Sequence, residues 1–519
     1  MKKFWFIIVL CGLCVACSDF LEPKSQSEYV PKNAAALNEM LIGSAYPKGA
    51  GGRDILKILP ILDDDICCTD TSGGVVGNTN ERNFVALKTL FSWQPEFWKT
   101  VRQESNILNE DPWEYFYQYI LGTNAALDYV DDVNGTFNEK TLVEAQAYAL
   151  RAFYYFHLVN MFGEPYTYNR KALGVPLKIT SAMEDKDLPR NTVEEVYEQI
   201  LNDLNNAEKL YEALPDELQF KRDYRTSLPM VQLLKSRVYL YMEDWKNVIT
   251  YAQKVIANPN FSLLDLNTIP AKTEKTPYYN FISMETSTEC IWTYGAIDTR
   301  LLSFELDVLE DPTRPLGDVR YSYKIFNAAP DLLNSYEEGD LRKENYIIKG
   351  ISKEKVSENL YENRPDGYFA YGKFSVNSDL GANSGTDFAY AFRLAEAYLN
   401  LAEATAMDGQ DGVALEALNT LRLNRFTSDK YVKLQGISGE KLIEKVRLER
   451  RLELCYEGHR WYDLRRYGMP TFSRVWKIGG TAIQTYTLEN NDPAYTLPIP
   501  QEVLEQNSNL VQNKLPNPR

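Results

Sequence analysis

Residues 142–159, LVEAQAYALRAFYYFHLV, decide the fold. Leu142, Ala145, Ala149, Ala152, Phe153, Phe156 and Val159 recur at three and four residues, the spacing that gathers side chains on one face of an α-helix. Trp113, Phe116, Tyr117, Ile120, Asn124, Leu127 and Val130 repeat the pattern just upstream, so the two segments predict an antiparallel helix pair. Further on, residues 192–213 predict a helix capped by Asn191 or Thr192 ahead of Glu195. Residues 229–242 and 244–257 predict two helices that meet at Glu243-Asp244-Trp245 with almost no loop, and 387–407 with 411–426 repeat the arrangement around Met407-Asp408-Gly409. A first helix is predicted at 34–46. Repeated helix, tight turn, helix units with small and aromatic residues interleaved predict a mostly α protein with tetratricopeptide-type packing. Residues 260–385 carry prolines, glycines and short apolar runs, which predict a loop-rich insert with a few short strands.

The whole chain has 519 residues, 44% hydrophobic and 25% charged, a composition that buries a large core. With 56 basic against 72 acidic side chains and a net charge of -16, it lacks the basic footprint that displaces counterions from phosphates, and nucleic acid is excluded as a partner. The two histidines, His157 and His459, are too few for a His-rich zinc site, and no metal or cofactor is expected. GxSxG, HExxH and P-loop patterns are absent.

At the N-terminus, Lys2 and Lys3 precede an apolar run, Phe4–Leu13, too short to span a bilayer, followed by Ala16 and Cys17. Leu13-Cys14-Val15-Ala16-Cys17 resembles a bacterial lipobox, which makes residues 1–16 a signal peptide and Cys17 the lipidated N-terminus; a plain secretory signal is the competing reading. Residues 17–33 then read as a polar, proline-bearing linker. Asp63-Asp64-Asp65 and Thr69–Asn80 read as a long irregular excursion, with the acidic triplet a solvated turn rather than a cation loop, since it lacks the glycine and distal glutamate of one. Cys67 and Cys68 read as two small thiols, with a vicinal disulfide as the alternative.

Five further segments, in order, resemble the SusD/RagB family of surface lipoproteins: CSDFLE from Cys17, AQAYALRAFYYFHLVNMFG over 145–163, RLAEAYLNLAEA over 393–404, ERRLELCYEGHRWYDLRR over 449–466, and the tail LPIP over 497–500 with Asn509-Leu510 and Gln512-Asn513. The resemblance covers nearly the whole mature chain. It implies one SusD-like unit over 34–519, in an N-terminal module (34–260) and a C-terminal SusD/RagB module (261–519), with about four tetratricopeptide-like helix pairs supporting a loop-rich face. It also implies a lipid-anchored, cell-surface place on the outer membrane, where such proteins cap a SusC-like TonB-dependent transporter and capture nutrient, commonly an oligosaccharide.

Arg447, Glu449, Arg450, Glu453, Glu457, Arg460, Asp463 and Arg466 read as architecture, with Arg450 paired to Glu453 and Asp463 to Arg466 at helical spacing, and His459 as an ion-pair member. Glu457 and Asp463 lie six apart, about 9 Å along a helix and about 240° around it, so they would not flank one glycosidic bond. A sugar site wants exposed aromatic rings beside hydrogen-bonding groups. Rings on the helical periods, Trp113, Tyr154, Tyr155, Trp245 and Trp461, are assigned to the core. Off-period candidates are Trp93 and Trp98 in the irregular stretch, near Arg102 and Asn106, and Tyr278, Tyr279, Trp292 and Tyr294 in the insert. The resemblance implies that ligand is held by loops from these two regions. Trp98 and Trp292 are expected as stacking platforms and Arg102 as a hydroxyl partner. The expected function is nutrient binding without catalysis; a peptide ligand on the same architecture, a glycoside hydrolase and a pure protein-contact scaffold are the alternatives.

Overall fold

The computed structural model describes residues 31–49, 55–68, 74–75, 78–105, 111–183, 187–270, 279–296, 305–309, 321–357, 360–369, 373, 388–477 and 483–519. The signal peptide, Cys17, Asn106 and Tyr278 lie outside them.

Asn33 caps α1 (Ala34–Ser44) by accepting the Ala36 N–H. Two helices then occupy the stretch expected to be irregular: α2 (Asn78–Phe91) and α3 (Phe97–Glu104). The difference is one of length, since α3 buries only Phe97, Trp98 and Val101 along two turns, too few positions for a period to show.

The predicted pair is α4 (Pro112–Tyr129), capped by Asp111, and α5 (Phe137–Phe162), opened by a reciprocal Thr136–Glu139 capping box. Thr192 with Glu195 does the same for α6 (Val193–Glu212). The helices α7 (Leu228–Met242) and α8 (Trp245–Ile256) join through Glu243 in the left-handed region, φ 59°. Next come α9 (Leu394–Met407) and α10 (Asp411–Leu423), joined through Gly409 at φ 74°, then α11 (Glu440–Leu454) and α12 (Arg460–Arg466). From α4 to α10 each helix packs on the next, and α9 also packs on α11. This succession is the tetratricopeptide-like array. Buried residues run all round α5 from Ala145 to Phe162, Tyr148 excepted, because α4 and α6 cover opposite sides of it.

Most strands are short, among them β1 (Ile66–Cys68), β2 (Cys290–Ala296), β3 (Phe326–Ala328), β4 (Phe388–Arg393), and the hairpin β5 (Phe472–Trp476) with β6 (Gln484–Leu488); the longest pair is Ile348–Ser357 with Leu360–Phe369, antiparallel. Residues 388–393, expected to begin a helix, are instead β4, paired antiparallel with β2 from Cys290↔Arg393 to Ala296↔Phe388. Their apolar side chains serve either period, and the partner strand, a hundred residues upstream, decides between them. One hydrophobic cluster runs through the molecule from Ala34 to Ile499, and α9 with α10 and α11 adds a second around Leu399, Leu418 and Val446.

Candidate ligand-binding face and its supports

The two regions singled out in the sequence come together. β1 pairs antiparallel with β3 in the register Ile66↔Ala328, Cys67↔Asn327, Cys68↔Phe326. Just beyond, Gly74–Val75 pairs with Leu309 and Val308, and Glu305–Leu309 pairs in turn with Tyr321–Lys324. Backbone hydrogen bonds thus tie residues 66–68 and 74–75 of the excursion to residues 326–328 and 308–309 of the insert, which brings loop-bearing parts of the two regions together. Cys67 is half-buried and Cys68 buried, and both are free thiols.

The individual rings do not stand on that face as expected. Trp98 is 3% exposed and its Nε1–H donates to the Pro498 carbonyl at 2.8 Å. Trp292 is fully covered, donating to the Tyr224 carbonyl at 2.7 Å, with the Phe153 ring edge-on at 5.0 Å and Tyr294 stacked at 4.7 Å. Trp93, at φ 51° between α2 and α3, donates to the Leu62 carbonyl and packs under the Arg474 guanidinium, and Tyr294 is buried with Trp292. A ring whose faces and N–H are spent inside the core offers nothing to stack on, so the exposed-platform expectation is corrected for Trp93, Trp98, Trp292 and Tyr294. Being off the helical period marks them as junction residues that lock one segment to another. Tyr279 is half-buried, with its hydroxyl donating to the Thr286 carbonyl at 2.7 Å and its ring against Phe281. Arg102 bridges the α4 cap Asp111, 2.5 Å, and Glu502, 2.7 Å, which leaves a quarter of its side chain exposed. Burial, only partly offset by Arg102, pushes the Asp111 carboxyl up to about 6.

Beneath the face lies a dense set of buried charges that the sequence spacing misassigns in part. Arg450 pairs with Asp463 at 2.8 Å and not with Glu453; Asp463 also holds Arg466, as expected. Glu453 instead meets Arg393 at 2.8 Å and Arg425 at 2.9 Å. Glu457 accepts from both Lys373 and Arg393 at 2.6 Å. Burial raises the Glu457 carboxyl, but Arg393 and Lys373 outweigh it and hold the group below its ordinary value. Arg342, Arg422 and Lys445 gather on Glu449, which is held down at about 2 against its burial. Only tertiary contacts could reveal these partners, because Arg393, Lys373 and Arg342 are far from α11 in the chain.

Asp63-Asp64-Asp65 is a buried knot and not a solvated turn. Asp64 takes Arg460 in a bidentate pair at 2.6 and 2.7 Å, Asp65 takes Arg451 at 2.7 Å, and Asp63 accepts the Asp65 N–H. His459 is not an ion-pair member either: burial, with Arg237 and Arg450 beside it, drives its pKa well below the ordinary value and keeps it neutral. Its Nδ1 accepts from Arg450 at 3.4 Å. Among the described residues no group of three His, Cys, Asp or Glu side chains is placed to hold a metal ion. Glu457 and Asp463, each bound to two cations, have no proton to give and no face toward solvent.

Comparison with known proteins agrees with this architecture. Residues 305–516 match the model of the SusD family, and residues 64–240 match a second model described as starch-binding associating with outer membrane. A SusD-like protein of Formosa agariphila is 28% identical over 99% of both chains, and the starch-binding protein SusD of Bacteroides thetaiotaomicron is 26% identical over 74% of this chain and 75% of its own. Among solved structures, a laminarin-binding SusD-like protein superposes with a TM-score of 0.60 at 22% identity, covering 93% of this chain and 99% of its own. Two successive family models, a relative matched end to end and a shared fold place the chain in the SusD/RagB family.

Proposed function

We propose that this protein is a cell-surface saccharide-binding lipoprotein: it is anchored in the outer membrane through Cys17, captures an oligosaccharide on the loop-rich face, and delivers it to a SusC-like TonB-dependent transporter. The observation that supports the reading is the pairing of residues 66–68 with 326–328 and of 74–75 with 308–309, which joins the excursion to the insert, the two regions from which the family resemblance expects ligand-holding loops. The starch-binding and laminarin-binding relatives support a glycan as the ligand class. Within this reading Arg102 and Tyr279 remain candidates, as do Asn106 and Tyr278 outside the described residues, and Trp93, Trp98, Trp292 and Tyr294 act from below by fixing the loops.

Binding without turnover is part of the proposal. The acidic pair nearest in sequence to a hydrolase dyad is consumed in ion pairs, and hydrolysis needs one carboxyl that can give up a proton at a glycosidic oxygen. The test is a screen of the detergent-solubilised protein against immobilised neutral and acidic glycans and against peptides, followed by chromatography of the bound glycan. Micromolar or weaker glycan affinity with intact ligand recovered is the expected result. Peptide binding alone, or shortened glycan products, would overturn it.

A further inference from the structure

An open groove of about 700 Å³ runs between β6 and residues 514–519, a size typical of small-ligand sites (~300–1,000 Å³). Pro493, half-buried, and Leu515, exposed, supply apolar surface above the buried Tyr486. Thr485, Glu489, Lys514 and Asn517 are exposed around them, and the side chains of all four make no hydrogen bond or ion pair within the molecule. Arg519, ion-paired to Asp492 in the same groove, keeps a buried Nη1 that donates to nothing.

Three features narrow the ligand class. Hydroxyl, amide, carboxylate and ammonium groups converge unspent, so the groove offers donors and acceptors in nearly equal measure. Its side-chain charges balance, Glu489 and Asp492 against Lys514 and Arg519, so they draw in neither polyanions nor polycations. Apolar surface between the polar groups suits the C–H face of a sugar ring. The hairpin that carries the groove also braces the loop face: Trp476 of β5 packs on Phe91 and Phe326, and the Lys477 N–H meets Cys68 Sγ.

We propose that this groove is a second saccharide subsite, which takes a neutral oligosaccharide through its hydroxyl groups and adds to the site on the loop face. The proposal rests on the saccharide-binding reading above and goes beyond it by assigning a separate site. The experiment is isothermal titration of the solubilised full-length mature protein with laminarihexaose, maltoheptaose, xylohexaose and mannohexaose, with an alginate hexamer as the charged probe. For a neutral probe that binds, the titration shows two classes of site. The Lys514→Ala/Asn517→Ala variant weakens one class at least tenfold and leaves the other, with an unchanged melting temperature. If that variant melts lower, Thr485→Arg, which fills the groove from an exposed strand position, replaces it. A single class of site, or two classes unmoved by the groove variants, overturns the subsite and leaves the saccharide-binding reading standing. Preference of the groove for the alginate hexamer overturns the neutral class. No binding by any probe overturns both.

Discussion

His157 lies parallel to the Phe116 ring at 5.7 Å and edge-on to Phe153 at 4.5 Å, with Nδ1 3.2 Å from the Tyr462 hydroxyl and Nε2 buried without a partner. Burial first, then the nearby Arg237, drives its pKa well below the ordinary value, as burial does for His459. The sign follows directly. Above about pH 6.5 both histidines are neutral folded and unfolded; below it the unfolded chain takes up protons the folded one refuses, and stability falls as pH falls, by about 1.4 kcal/mol per pH unit for each histidine. The depressed carboxylates Glu449 and Glu457 add a second loss below about pH 4.3. His157→Phe keeps the ring packing and removes the proton acceptor. Urea titrations at pH 7 and pH 5 should show the variant losing roughly 2 kcal/mol less than the wild type. Asp111, raised to about 6, opposes the trend equally in both proteins and cancels from the difference. Equal losses would show that His157 does not titrate in this window. The sequence displayed both histidines but not their state, since His459 stands among charged residues in the chain, and its burial and the nearby Arg237 and Arg450 charges are set by tertiary packing.

At the scale of elements, what could be read in advance was local. The capping boxes at Thr136 and Thr192 tie residues three apart, the left-handed turns at Glu243 and Gly409 follow from tight spacing, and the expected helices, the start of α9 apart, lie within a few residues of their bounds. What could not be read was set by distant partners: β4 took strand geometry from β2, and Trp98 joined the core because a carbonyl 400 residues away accepts its N–H. An off-period aromatic in a sequence is ambiguous between a surface platform and a junction pin until that partner is known. The consequence is measurable. Trp98→Ala should cost about 3–5 kcal/mol of stability and lower the melting temperature by several degrees, as truncation of a buried tryptophan does. Trp98→Phe, which keeps most of the packing and loses the N–H, should recover more than half of that. An alanine variant that melts like the wild type and loses only ligand would restore Trp98 to the binding surface.

For the molecule as a whole, the family was legible because three of its five signature segments lie on α5, on α9 and on α11 with α12, helices with many buried positions, where packing restricts which residues fit. The ligand was not, because the face proposed to hold it is made of loops whose shape depends on one another. Anchorage is the whole-molecule property open to the simplest test. Cys17→Ala should shift the protein from the membrane pellet to the soluble fraction and abolish incorporation of labelled fatty acid. A variant that stays in the pellet with label would place the anchor elsewhere.

The segment from Leu497 to Asn513 clasps parts of the chain made long before it. Leu497 N–H binds the Met161 carbonyl, Asn513 reaches Phe162, and Arg190 joins Phe162, Leu173 and Gly174 to the Val511 carbonyl, while Pro498 receives Trp98. Contacts of such sequence separation make folding slow, since the intervening chain must be ordered before they can form. A polypeptide that emerges N-terminus first from the export channel holds α3 and α5 with those bonds unmade until residues 497–513 have followed. Protease resistance in a pulse-chase experiment should therefore arrive late and in one step, timed by the closing segment and not by the first helices.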